Sequence, residues 1–104
     1  MQKRTIIKNI KRIIDDFGSF DLSEINADSS PCVGTLGNFV GLAESFNKDE
    51  VNVSVYDPSS ASSDPIDDYN IEYEKLDKDV LSEILIYCEE WEAECLKTEK
   101  RISN

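Results

Sequence analysis

The chain has 104 residues, 22 Asp and Glu against 11 Lys and Arg, no His and a formal net charge of −11, with 39% apolar and 32% charged residues. This is the length of one domain, apolar enough to bury a core and too apolar to be wholly disordered. Without His there is no His-based catalysis or metal ligation, and no apolar run approaches the ~18 residues of a membrane span.

The first periodic segment is Lys3–Phe17. Ile6, Ile7, Ile10, Ile13, Ile14 and Phe17 fall on one helical stripe, with Lys8, Lys11, Arg12, Asp15 and Asp16 opposite. Gly18 follows as a left-handed stop. Cations come early and acids late, against the helix dipole, so this helix must draw its stability from its isoleucine face. A basic amphipathic start can also touch an acidic lipid surface, but its charges interrupt the apolar run and it is read here as a globular helix without a signal peptide. Ser19–Ile25 alternates weakly at Phe20 and Leu22 and is expected to be a short strand. Asn26–Pro31 is a polar loop.

Leu36, Phe39, Val40, Ala43 and Phe46 fall at i, i+3, i+4, i+7 and i+10, which predicts a second helix ending near Asn47. Gly34, Gly37 and Gly41 oppose it, each costing about 1 kcal/mol in a helix, and leave a strand as the competing reading. Val51, Val53 and Val55 alternate with Asn52, Ser54 and Tyr56 in the clearest strand of the chain. Asp57–Asp68 is a long acidic, serine-rich loop, expected to be mobile or functional. Tyr69, Ile71 and Tyr73 then alternate, predicting a strand antiparallel to 51–56, with Asn70, Glu72 and Glu74 as a charged, edge-protecting face. Asp77 is placed to cap the last and longest helix, whose stripe is Val80, Leu81, Ile84, Leu85, Cys88, Trp91 and Cys95. Lys97, Lys100 and Arg101 suit its C-terminal dipole. The expected fold is α+β, in the order α-β-α-β-β-α: a small antiparallel sheet of two or three strands, with two or three helices packed against it.

Charge is segregated along the chain. Residues 1–18 carry +3, residues 19–96 carry −16 and residues 97–104 carry +2. An acidic body repels phosphates, which argues against direct nucleic-acid binding, and attracts basic proteins. Cys32, Cys88 and Cys95 form no C-x-x-C, and the last two lie about 10 Å apart along a helix, too far for a disulfide. Three reduced thiols fit a cytoplasmic protein. Cys32, with no cation nearby, is expected to be a buried structural thiol rather than a nucleophile.

Asp57, Asp64, Asp67 and Asp68 could offer oxygen ligands to a hard cation, but the loop lacks the glycine and spacing of a calcium loop, so no metal and no cofactor are expected. Gly34, Gly37 and Gly41 match neither a dinucleotide fingerprint nor a phosphate loop. With no catalytic constellation, the reading is a non-enzymatic protein-interaction module. Its candidate binding residues are Asp57, Asp64, Asp67, Asp68, Tyr69, Glu72, Glu74 and Trp91, the last either core or interface. The partner is a protein of basic character or a second copy of the chain. The alternative is an acidic mimic of nucleic acid that occupies a DNA-binding protein or nuclease, through the acids of 57–79 and 83–94.

Two stretches carry a resemblance: Ser29-Ser30-Pro31-Cys32-Val33 running on to Leu42-Ala43-Glu44-Ser45-Phe46-Asn47, and Val55-Tyr56-Asp57-Pro58 followed by Ser62-Ser63-Asp64 and Ile66-Asp67-Asp68-Tyr69. Together they resemble small acidic bacterial proteins of mobile elements that have no assigned function. The resemblance implies a bacterial accessory protein and carries over no catalytic residue.

Overall fold

In the computed structural model, which describes residues 2–59 and 64–98, the isoleucine stripe forms helix α1 over Lys3–Phe17. All six residues of the stripe are buried. The helix stops where glycine allows it: Gly18 has φ 94° and donates its N–H to the Ile14 carbonyl at 2.7 Å. The long last helix, α2, spans Lys78–Thr98. The Leu81 N–H donates to the Asp77 carbonyl at 2.9 Å, which places Asp77 at the N-cap position. Lys97 stands in the last turn. Lys100 and Arg101 lie outside the described residues.

Among the described residues, five strands make one antiparallel sheet. They are β1 (Phe20–Asp21), β2 (Cys32–Leu36), β3 (Phe39–Phe46), β4 (Glu50–Tyr56) and β5 (Asp67–Glu72). The order is β1-β3-β4-β5, with β2 also pairing with β3. The predicted pairing of the two later strands is present, with Val51 opposite Ile71 and Val53 opposite Tyr69. Tyr73 does not continue the strand. It opens a 3₁₀ turn, Tyr73–Lys75, and is fully buried. The expected strand at 19–25 is shortened to β1, followed by a 3₁₀ turn over Leu22–Ile25. That turn is opened by the Asp21 N–H donating to Glu24 Oε2 at 2.9 Å, so a D-x-x-E signature wins over the weak alternation.

The expected helix over 36–47 is not there; the segment forms the end of β2 and all of β3. The expected count of two or three strands and the order α-β-α-β-β-α change accordingly. Two features of the backbone explain the misreading. Leu36 pairs with Phe39 across a two-residue Gly37-Asn38 turn, with Gly37 at φ 67°, as a type II′ hairpin needs at its first central position. Further along, a β-bulge falls between Ala43 and Ser45. Core-facing positions therefore run 41, 43 and then 46, because Glu44 is the extra residue. A strand with such a slip places apolar residues at spacings that imitate a helical stripe.

Both helices cover one face of the sheet. Ala43, Phe46, Val51 and Val53 pack with the α1 isoleucines and with Leu81, Ile84 and Cys88 of α2 in one core. Each buried Val, Leu, Ile or Phe among them contributes about 1.5–3 kcal/mol by leaving water. The outward charges of α1 are partly matched by opposite charges from other elements. Arg12 Nη1 lies 3.5 Å from Glu92 Oε2, Lys48 Nζ 3.2 Å from Asp15 Oδ1, and Lys11 Nζ 3.2 Å from Glu74 Oε1. Pairs this exposed are worth about 0–1 kcal/mol each and bias orientation more than stability.

Candidate functional site

Side chains alternate across β4: Val51, Val53 and Val55 enter the core side, so Asn52, Ser54 and Tyr56 point to the face that carries neither described helix. Register extends that face sideways. Ser45 and Asp21 continue the row of Asn52, Leu42 and Asp68 flank Ser54, and Val40 lies beside Tyr56. Asn70 and Glu72 complete it on β5, where Asn52 Nδ2 donates to Asn70 Oδ1 at 3.3 Å. At the bulge, Tyr56 Oη donates to Glu44 Oε1 at 2.8 Å. Burial and the Glu44 carboxylate both push the Tyr56 pKa up, so the phenol stays a neutral donor. The half-buried Val40, Leu42 and Tyr56 form an apolar patch toward the C-terminal end of β4 on this face. The strands as a group contain six carboxylates and no Lys or Arg.

The sequence-derived candidates divide into three places. Asp57, Asp64, Asp67 and Asp68 gather at the end of the β4–β5 hairpin, whose loop is closed by the Ile66 N–H donating to the Val55 carbonyl at 2.8 Å. Asp57 Oδ1 accepts from the Ser59 hydroxyl at 2.7 Å and the Ser59 amide at 2.9 Å. These two bonds hold its carboxyl below the ordinary carboxylate range. Asp64 is exposed and its charge helps raise the Tyr56 pKa. The expected mobility of the loop rests on 60–63, which lie outside the described residues. Glu72 and Glu74 stand at the opposite end of β5, roughly 13 Å or more from Asp68 along the strand. Glu72 pairs with Lys75 at 3.9 Å. Glu74 receives the Lys3 ammonium on its carbonyl at 2.7 Å and the Lys11 ammonium on its carboxylate at 3.2 Å. Its own backbone N–H and then Lys11 hold its carboxyl low.

Trp91 takes the core place, not the interface place. It is 5% exposed, stacks on Phe20 with centroids 5.2 Å apart, and donates Nε1–H to the Gly18 carbonyl at 3.2 Å. Tyr69 is half-buried against the core edge. Cys32 corrects another expectation: it is exposed and lines a shallow groove with Val80 and Ile86 of α2, because the β2 bulge turns Val33 rather than Cys32 against Gly41. Cys88 and Cys95 are buried free thiols, and burial pushes Cys88 up to about 12.

Among the described residues, no three His, Cys, Asp or Glu side chains are grouped so that they could hold a metal ion. No helix of the described residues is long and apolar enough to cross a membrane. The apolar stripe of α1 is buried in the core. A cleft of about 540 Å³ opens between residues 25–29 and α2, beside the 2.9 Å bond from Tyr87 Oη to the Ser29 carbonyl.

The residues that sequence reasoning missed are Val40, Leu42, Glu44 and Tyr56. The signals for them were the Gly37-Asn38 pair as a hairpin turn and the lack of any Lys or Arg across residues 13–47. The fold defines an α+β protein with a one-sided antiparallel sheet. No protein-family model, no curated protein and no solved structure matches the chain.

Proposed function

We propose that this protein is a non-enzymatic interaction module that receives a basic protein on the uncovered face of its sheet. The observation that carries the reading is the one-sidedness of the sheet together with its charge. Glu44 and Asp68 flank Val40, Leu42 and Tyr56, while Asp21, Glu50 and Glu72 continue the acidic row toward the other end of a face without a strand Lys or Arg. An apolar patch beside a row of one sign of charge suits a protein surface of the opposite sign. The three free thiols support a reducing, cytoplasmic setting.

The test is capture from native-host lysate by the tagged full chain, at about 0.15 M and about 1 M salt, where the screening length falls from ~8 Å to ~3 Å. The double substitution Asp68→Lys and Glu72→Lys is run in parallel. A basic protein retained at low salt, and lost both at high salt and with the variant, agrees with the reading. A partner held equally by both chains at both salts refutes it.

A second reading, the acidic mimic of nucleic acid, draws on α2. Asp79 and Glu83, and then Glu90 and Glu94, stand one turn apart on its outward flank, about 6 Å along the axis. Duplex DNA that displaces the captured protein favours the mimic; a capture indifferent to DNA favours the sheet.

A further inference from the structure

We propose that the basic partner is held along the outer edge of β5, as an extended segment of alternating basic and apolar residues that adds a strand to the sheet; this rests on the reading of the sheet as a receptor for a basic protein. β5 ends the sheet, with β4 on one side and no described strand on the other. The Asp68 amide donates to the Asp67 carboxylate at 2.9 Å, so it is turned away from β4. By antiparallel alternation the amides of Asn70 and Glu72 face the same open edge, while those of Tyr69 and Ile71 face β4.

The side chains alternate as well. Asp68 and Glu72 lie on the uncovered face, and the half-buried Tyr69 and Ile71 on the helix-covered one. A strand added here brings its side chains within about 4.5–5.5 Å of these. Basic residues then meet Asp68 and Glu72, and apolar ones extend the rim of the core beside Tyr69 and Ile71. The same acids exclude a second copy of β5, since edge-to-edge pairing would set carboxylate against carboxylate. The other edge is made of β1 and β2, whose one charged residue is Asp21, so it offers no alternating row of acids.

The probe is the end-blocked peptide Lys-Val-Lys-Val-Lys-Val-Lys, titrated into the full chain and followed by amide NMR and hydrogen exchange. Its controls are a block-ordered peptide of the same composition and a copy N-methylated along one backbone edge. The alternating peptide is expected to slow exchange at Asn70 and Glu72 by at least about tenfold and to lose at least about tenfold in affinity to the Asp68→Lys, Glu72→Lys chain. That variant should instead take a Glu-Val alternating peptide, which shows that it remains folded. Equal binding of the N-methylated or block peptide, with 67–72 undisturbed, overturns strand addition and leaves the basic-partner reading standing. No binding of any lysine peptide at low salt overturns both.

Discussion

Replacing Tyr73 by Phe removes one oxygen from the interior and leaves the ring in place. Tyr73 is fully buried, and its Oη donates to the Asn47 carbonyl at 2.6 Å. Asn47 belongs to the β3–β4 turn, where its own N–H donates to the Glu50 carbonyl at 2.9 Å. The phenol therefore ties the approach to α2 to a turn of the sheet. Phe opens no sizeable cavity, so the cost is the hydrogen bond, a net of about 0.5–1.5 kcal/mol. Asn47 is exposed, and water reaching its carbonyl keeps the loss near the middle of that range. In a domain of this size, about 1 kcal/mol is a fall in Tm of roughly 4–8 °C. Urea unfolding followed by the fluorescence of Trp91, the single Trp and 5% exposed, measures it directly. The hydroxyl also leaves an alkaline signature. Burial raises its pKa well above 10.0, so the native state keeps the proton that the unfolded chain releases. The stability Tyr73 contributes is thus intact below pH 10 and lost as pH climbs beyond it. The Phe variant should lack that part of the slope. A loss of more than about 3 kcal/mol, or no change in either stability or alkaline slope, would refute the placement of this hydroxyl.

Cys88 should act in the same direction one pH unit earlier: its pKa rises from 9.0 to about 12, so stability is full below pH 9 and declines between those values. The slope approaches about 1.4 kcal/mol per pH unit, and Cys88→Ala should show less of it between pH 9 and 10 in denaturant titrations. Gly37→Ala forces a Cβ onto φ 67° with no neighbour within 4 Å, so strain alone should cost about 1–2 kcal/mol, and Gly37→Asn less. Equal losses for the two in thermal melts would show that packing sets the cost. Ile10→Ala, at a fully buried site on α1, should cost about 2–5 kcal/mol by urea titration; a loss below about 1 kcal/mol would mean that α1 is not docked on the sheet. In the free protein, the amides of Asn70 and Glu72 should exchange faster than those of Tyr69 and Ile71, and the reverse order would contradict the alternation of β5.

Local periodicity alone determined the two helices and the pairing of residues 51–56 with the segment near 69–72. The stripes of α1 and α2 are long and uninterrupted, and three valines at every second position admit only a strand. Gly18 as a stop and Asp77 as a start were equally local, since each depends on backbone geometry within a turn. The acids of 57–68 were also legible as a group, because one hairpin loop keeps neighbours in sequence near one another. Tertiary structure decided the rest. The bulge at Glu44 shifts the alternation of β3 by one residue, and only the pairing with β4 reveals that Phe39, Val40, Ala43 and Phe46 belong to a strand. Which aromatic stays partly exposed followed from packing: Trp91 is closed off by Phe20 and Gly18, whereas Tyr56 stands half-buried beside Glu44. Glu74 looked like Glu72 in the sequence, yet Lys3 and Lys11 of α1, more than sixty positions away, converge on it. A sequence pattern sets which side of an element is apolar. Which other element covers that side, and which face is left open to a partner, depends on contacts between residues far apart in the chain.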